Sequence, residues 1–167
     1  MRFFLLLVLA LAAQAALTSH HLPWLLSSLH VWLVVVVGRA QRFPASHAGW
    51  FGLLSGLAAD AVRGWPWGPS GIASAVAGAA VALASVVFDL SGPLFWVVGT
   101  LLASGLVEGT LALVYLTLGA RPPHGWVGAA AAVAGTTFLG FLTAASEWWW
   151  GRVFSPQARR RRALRRR

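Results

Sequence analysis

Four acidic side chains and five histidines are the groups in this 167-residue sequence that could take part in chemistry. Two of the acids, Asp60 and Glu108, fall within long apolar runs. A charged group is costly in hydrocarbon, so an acid in such a place is usually paired, hydrated or functional. Glu108 lies near the middle of its run and Asp60 near the end of another, and these two residues define the candidate sites.

Several roles are open to Asp60. It could pair with Arg63 one helical turn later, or cap the turn formed by residues 64–70. A second interpretation is that Asp60 contacts a partner protein, or holds the turn that meets one. Proton or substrate handling is the third alternative.

Glu108 is the acid furthest from either end of an apolar run. A carboxylate at the bilayer centre costs several kcal/mol (about 3 on insertion scales) unless it is paired or protonated. We expect Glu108 to face the bundle in a protonated or hydrogen-bonded form, towards Ser, Thr or His30. A substrate or ion site and a contact with a partner helix are the alternatives. His30 is expected to be a packed, neutral side chain.

Enzymatic and metal-binding functions are not indicated. The sequence has no Cys, and its histidines are scattered without the spacing of metal ligands. No Ser-His-Asp arrangement is predicted, because the sequence does not fix a histidine at the depth of Asp60 or Glu108. All thirteen basic residues are Arg, and a phosphate-binding loop of the Walker type needs Lys. We therefore expect no catalytic, cofactor or metal site.

The composition is typical of a membrane protein. Hydrophobic residues make up 58% of the chain and charged residues 10%, against about 25% charged in soluble domains. The net charge of +9 comes mainly from the end of the chain, since eight arginines lie between Arg152 and Arg167. The basic character therefore belongs to a tail and does not indicate a nucleic-acid-binding domain.

Apolar runs separated by turns predict an all-α, six-helix transmembrane bundle over residues 1–151, followed by a basic cytoplasmic tail at 152–167. The first run also fits a secretory signal peptide, although we favour a retained helix. All eight prolines fall in proposed turns or at helix ends, and most tryptophans lie at proposed span ends. The predicted spans are about 3–18, 24–40, 47–62, 71–90, 94–118 and 126–150.

Arginine placement predicts that both termini are cytoplasmic. With six spans, Arg2, Arg39, Arg42 and the tail lie inside, whereas Arg63 and Arg121 lie outside, as the positive-inside rule favours. Arginines close to an anionic leaflet bind its headgroups, so the tail is either a lipid anchor or only an orientation signal. The predicted lipid-headgroup residues are Arg159, Arg160, Arg161, Arg162, Arg165, Arg166 and Arg167.

Glycines four residues apart allow helix backbones to approach closely. Two such pairs lie within the predicted spans, Gly52 with Gly56 and Gly105 with Gly109, and Gly78 lies in a helix of small residues. We expect these glycines to pack within the bundle or against a partner. The turn at residues 64–71 is the predicted outer contact surface.

Residues 49–78 resemble the MreD family of rod shape-determining membrane proteins. The resemblance consists of Gly-xx-Gly-xxx-Gly-Leu-xx-Asp ending at Asp60, a short turn, and a small-residue helix. The sequence departs from the family at Leu29-His30-Val31, where Pro and a polar residue are common. The residues that carry the motif, and that the resemblance implies for partner binding, are Gly52, Gly56, Asp60, Gly64, Trp65, Gly68, Pro69 and Gly71.

This resemblance implies a non-enzymatic scaffold of the bacterial cell-elongation complex in the inner membrane. The implied main partner is the single-span protein MreC. The scaffold would help to regulate the glycosyltransferase RodA and a class B penicillin-binding transpeptidase, with the filament protein MreB and a second copy of the chain as further candidates.

MreD proteins are also likened in fold to the S components of energy-coupling-factor vitamin transporters. A small-molecule-binding S component is therefore the rival function. It would need several polar side chains around one pocket. The sequence offers few for this purpose, namely Glu108, His30, Tyr115, Thr136 and Thr137.

Overall fold

The computed structural model describes residues 2–18, 29–64, 68–121 and 125–154. These residues form six α-helices and no strand, which confirms the all-α fold class. The helices are α1 (Arg2–Thr18), α2 (Val31–Ala40), α3 (Ala45–Arg63), α4 (Pro69–Val87), α5 (Gly92–Thr117) and α6 (Gly125–Phe154).

Three helices in the described ranges are long and apolar enough to cross a membrane: α4, α5 and the Gly125–Trp150 part of α6. A crossing helix needs about 20 apolar residues for a ~30 Å hydrocarbon core. Helix α3 has the same length as α4, 19 residues, but includes His47, Asp60 and Arg63 and is more polar. The apolar parts of α1 and α2 are shorter, at Phe4–Leu17 and Val31–Ala40.

The exposed surface also suits a lipid environment. Large apolar side chains are exposed on every helix except α2, among them Leu9, Val86, Leu116 and Trp126. In a bilayer such side chains would face hydrocarbon and not water. The fold is therefore consistent with a multi-pass membrane protein.

Helix α2 differs most from the span predicted at residues 24–40. Residues 24–28 lie outside the described part of the chain, while Leu29 and His30 are not helical. The helix that follows has 10 residues and is therefore about 15 Å long, half the thickness of the hydrocarbon core. Its start is held by side chains from other helices, which accept hydrogen bonds from the N–H groups of His30 and Val31.

This short helix is the centre of the bundle. Helix α2 contacts each of the other five helices of the described structure. Its residues Trp32, Leu33, Val36 and Val37 have no solvent exposure. Around it, α3 packs along α4, α4 along α5, and α5 along α6, while α1 packs on α2 and α3.

Glycines explain the close contact between α3 and α4. A Cβ atom added to Gly52 would overlap the carbonyl oxygen of Ser74, and one added to Gly56 would overlap that of Ser70. At Gly78 an added Cβ would lie 2.7 Å from the carbonyl oxygen of Ala48. These three glycines therefore serve helix packing within the bundle.

The second glycine pair lies in a different environment. Gly105 and Gly109 on α5 are exposed, and a Cβ atom added to either would meet no atom within 4 Å. The two pairs have the same sequence spacing, but only the first is used inside the bundle.

Candidate functional site

Glu108 and His30 are directly bonded in the interior. The Nε2 atom of His30 lies 2.7 Å from Oε1 of Glu108, and the two side chains are 0% and 10% exposed. Of the partners considered for Glu108, His30 is thus the one found. The sequence alone did not fix a histidine at this depth; the non-helical residues before α2 bring His30 to the level of mid-α5.

Arg63 lies on the other side of the same imidazole. Its Nη2 donates to the Leu29 carbonyl oxygen at 2.9 Å and to His30 Nδ1 at 3.0 Å. A guanidinium can only donate, so Nδ1 accepts and the ring proton resides on Nε2. Nε2 therefore donates to Glu108, and a neutral histidine connects a cation at the end of α3 with a carboxylate in α5.

Two more side chains bond the backbone where α2 begins. The N–H of His30 donates to Thr136 Oγ1 at 3.2 Å, and the N–H of Val31 donates to Gln14 Oε1 at 3.2 Å. Both Gln14 and Thr136 are fully buried. The first N–H groups of a helix have no partner within it, and non-helical backbone at membrane depth must be satisfied by protein.

We call Gln14, His30, Arg63, Glu108 and Thr136 the central polar cluster. Its members come from α1, the start of α2, and helices α3, α5 and α6. A polar group left unbonded in this interior would cost about 1–3 kcal/mol. The cluster therefore holds five parts of the chain in one arrangement.

Asp60 is part of a separate arrangement at the turn between α3 and α4. Its Oδ2 accepts from the N–H groups of Gly68 at 3.0 Å and Ser70 at 3.2 Å. The structure thus gives Asp60 the capping role that was one of its alternatives. Helix α3 ends at Gly64, whose φ of 66° is left-handed and suits glycine.

The remaining motif residues lie in different environments. Pro69 opens α4 in the first-turn position that tolerates proline. Gly71 packs on Leu57, which lies 3.0 Å from where a Cβ would be. Trp65 and the tail residues from Arg159 to Arg167 lie outside the described part of the chain.

His30 has no unengaged ring nitrogen for proton abstraction. Both ring nitrogens of His30 are engaged, one by Arg63 and one by Glu108. In the described ranges, no group of three or more His, Cys, Asp or Glu residues could hold a metal ion. The geometry is suited to holding backbone and side chains together.

Surface grooves between the helices are mostly apolar. Four of them have volumes between about 340 and 580 Å³, and Ala, Val and Leu dominate their linings. Neither His30, Arg63 nor Glu108 lines any of these four grooves. Of the polar residues considered for a ligand pocket, only Thr137 does, in the groove between α5 and α6.

Sequence reasoning missed the partners of Arg63 and the role of Gln14. Gln14 is the one polar residue between Phe3 and Leu17, and that isolation was the available signal. Its partner, the backbone of Val31, could not be inferred because the helix was predicted to begin before that residue.

Comparisons with known proteins identify no relative of this chain. No family model matches it, and no curated protein and no solved structure was found to match it.

Proposed function

We propose that this chain is a non-enzymatic membrane scaffold of the bacterial cell-elongation complex, of the MreD kind. Its main partner is the single-span protein MreC, and RodA, a class B penicillin-binding protein and MreB are further partners. It is supported by the MreD-like motif at residues 49–78, in which Gly52, Gly56 and Asp60 stand at the spacing Gly-xxx-Gly-Leu-xx-Asp.

In this proposal the chain crosses the bacterial inner membrane six times, with both termini in the cytoplasm. The arginine distribution supports this orientation. Helix α2 would form the inner half of the second crossing, and the polar bonds of Leu29, His30 and Val31 would satisfy its backbone in the bilayer.

The observation that carries the proposal is that three interior polar side chains, those of His30, Arg63 and Glu108, bond to one another. A site for a polar small molecule needs several polar groups directed into one cavity. Here His30, Arg63 and Glu108 form a continuous chain of hydrogen bonds, and the four grooves found among the described residues are lined mainly by apolar side chains. This supports a scaffold more than it supports a vitamin-binding S component.

Helix α5 offers the surface for a partner helix. Gly105 and Gly109 are exposed with open space above them, so a second helix could approach the backbone closely. Association in lipid depends on such close packing, since hydrocarbon provides no hydrophobic drive between helices. Because Gly52 and Gly56 already pack on α4, the proposed partner contact lies at Gly105 and Gly109.

The test is co-purification of the single-span partner with tagged wild-type chain and with G105L and G109L variants. We expect each variant to retain about tenfold less partner, which corresponds to about 1.4 kcal/mol of lost packing. Its thermal stability in detergent should stay near that of the wild type. The matched control is A145L, on an exposed position of α6. Equal retention by all three variants would refute the proposed contact surface.

A further inference from the structure

His30 lies between a cation and an acid in the interior of the bundle. Its Nδ1 accepts from Arg63 Nη2 at 3.0 Å, and its Nε2 donates to Glu108 Oε1 at 2.7 Å. In this arrangement the ring is neutral, because Nδ1 can accept a hydrogen bond only while it carries no proton. A proton on Nδ1 would place two donors against each other and break the contact between His30 and Arg63.

The charged groups around His30 determine how the ring responds to a proton. Among the described residues, α5 presents the acid Glu108 and α3 presents the cation Arg63, whereas α1 and α6 contribute the uncharged side chains of Gln14 and Thr136. Helix α4 has no titratable side chain. A protonated imidazole would therefore keep the Glu108 carboxylate as a favourable partner and lose the Arg63 guanidinium.

Arg63 has a second acceptor beside it on its own helix. Asp60 precedes Arg63 by three residues on α3, a spacing at which side chains of a helix are neighbours. The carboxylates of Glu108 and Asp60 both attract the Arg63 guanidinium. Oδ2 of Asp60 caps the start of α4, whereas its Oδ1 is buried and bonds no donor in the described part of the chain. This oxygen can accept from Arg63 when His30 no longer does.

We propose that His30, Glu108, Arg63 and Asp60 form a pH-sensitive switch with two arrangements. In the first, neutral His30 joins Arg63 to Glu108, as in the structure. In the second, a proton from water binds Nδ1, the imidazolium forms an ion pair with Glu108, and Arg63 moves to Asp60. The second arrangement binds one proton more than the first. Acid therefore favours it, and the ratio of the two arrangements changes about tenfold per pH unit.

The switch acts on the start of α2. Arg63 also bonds the Leu29 carbonyl oxygen at 2.9 Å, so its departure frees the backbone that precedes the helix. Helix α2 contacts each of the other five helices of the described structure, and a shift at its start would alter the packing at the centre of the bundle. The inference is independent of the proposed scaffold role.

Nitrogen NMR of full-length protein with 15N-labelled histidine, in lipid nanodiscs, tests the switch at the ring itself. The chain has five histidines, and the signals that are lost in H30Q identify His30. We expect a proton on Nε2 alone at pH 8 and a proton on both ring nitrogens at pH 5.

Hydrogen exchange provides the second measurement. After division by the intrinsic rate at each pH, exchange at residues 30–33 should rise at least about tenfold between pH 8 and pH 5, because the open arrangement gains one proton. Exchange at residues 73–78, in the buried part of α4, should not change. An equal rise in both segments would mean that acid opens the whole bundle, and it would overturn the proposal.

Three variants separate the switch from other effects of acid. H30Q keeps a donor and an acceptor at position 30 but cannot take up a proton, and E108Q removes the counter-ion of the imidazolium. Neither should show the rise in exchange. D89N alters an exposed acid and should respond as the wild type does. An unprotonated Nδ1 at pH 5 in the folded wild type, or an undiminished rise in H30Q or E108Q, would overturn the proposal.

Discussion

His30 Nε2 lies 2.7 Å from Glu108 Oε1, although 78 positions separate the two residues in the sequence. The contact joins the start of the shortest helix to the middle of α5. Because Arg63 bonds the other ring nitrogen, the imidazole has one defined tautomer and both neighbours have a partner. This connection explains how a bundle in lipid can contain a cation and an acid in its interior.

Removing the carboxylate should destabilise the bundle. We expect E108A to lower the free energy of unfolding by about 3–5 kcal/mol, because it leaves Arg63 and His30 buried without their acid. E108Q should cost less, since its amide oxygen still accepts from Nε2. Thermal unfolding in detergent measures both, with D89N as the control at an exposed acid. An E108A protein as stable as D89N would contradict the account.

The contributions of His30 and Glu108 to the free energy of unfolding should be coupled. In a double-mutant cycle with H30A and E108A, the double variant should be more stable than the sum of the single losses predicts. Interacting neighbours show coupling energies of about 0.5–3 kcal/mol. Additive losses would mean that the two side chains stabilise the fold separately.

The side chains of Thr136 and Gln14 should protect the backbone N–H groups at the start of α2 from hydrogen exchange. T136V removes the acceptor for the His30 N–H, and Q14L removes the acceptor for the Val31 N–H. Each should cost about 1–3 kcal/mol. Hydrogen exchange should rise at residues 30–33 in both variants. The control is T137V, because the Thr137 hydroxyl bonds the carbonyl of Val133 in its own helix. Similar exchange rates at residues 30–33 in T136V and T137V would refute the role of Thr136 as acceptor for the His30 N–H.

The capping role of Asp60 predicts that stability falls by different amounts when this residue is replaced by Ala and by Asn. D60A should lower stability by about 1–2 kcal/mol, since two N–H groups at the start of α4 lose their acceptor. D60N keeps one side-chain oxygen and should lose less. If D60A unfolds no more readily than D60N, the carboxylate does not act as a cap.

The glycines of α3 and α5 should respond differently to the same change. G52L and G56L force side chains into the backbone of α4 and should cost about 3 kcal/mol or more. G105L and G109L meet open space and should change stability by less than about 1 kcal/mol. Thermal unfolding of all four distinguishes the pairs, and equal losses would mean that both pairs pack inside the bundle.

The long helices could be predicted because the signal for each lies within its own sequence. Apolar runs bounded by glycine and proline located α4, α5 and α6 to within a few residues. The start of α2 could not be predicted in this way. It depends on Gln14, Arg63 and Thr136, which belong to three other helices.

Spacing also left the role of the glycines undetermined. Gly52 with Gly56 and Gly105 with Gly109 have identical spacing, yet one pair packs inside and the other is exposed. Which face of a helix turns inwards depends on the positions of all its neighbours. The same limit applied to Glu108, for which Ser, Thr and His30 could not be ranked without the path of the chain before α2.

Mass spectrometry of the complex purified from its native host in mild detergent tests the central claim most directly. The scaffold account predicts stoichiometric recovery of a single-span protein and no stoichiometric small molecule. A stoichiometric metabolite, or a pair of energising ATPases in place of the single-span protein, would contradict the account and support an S component.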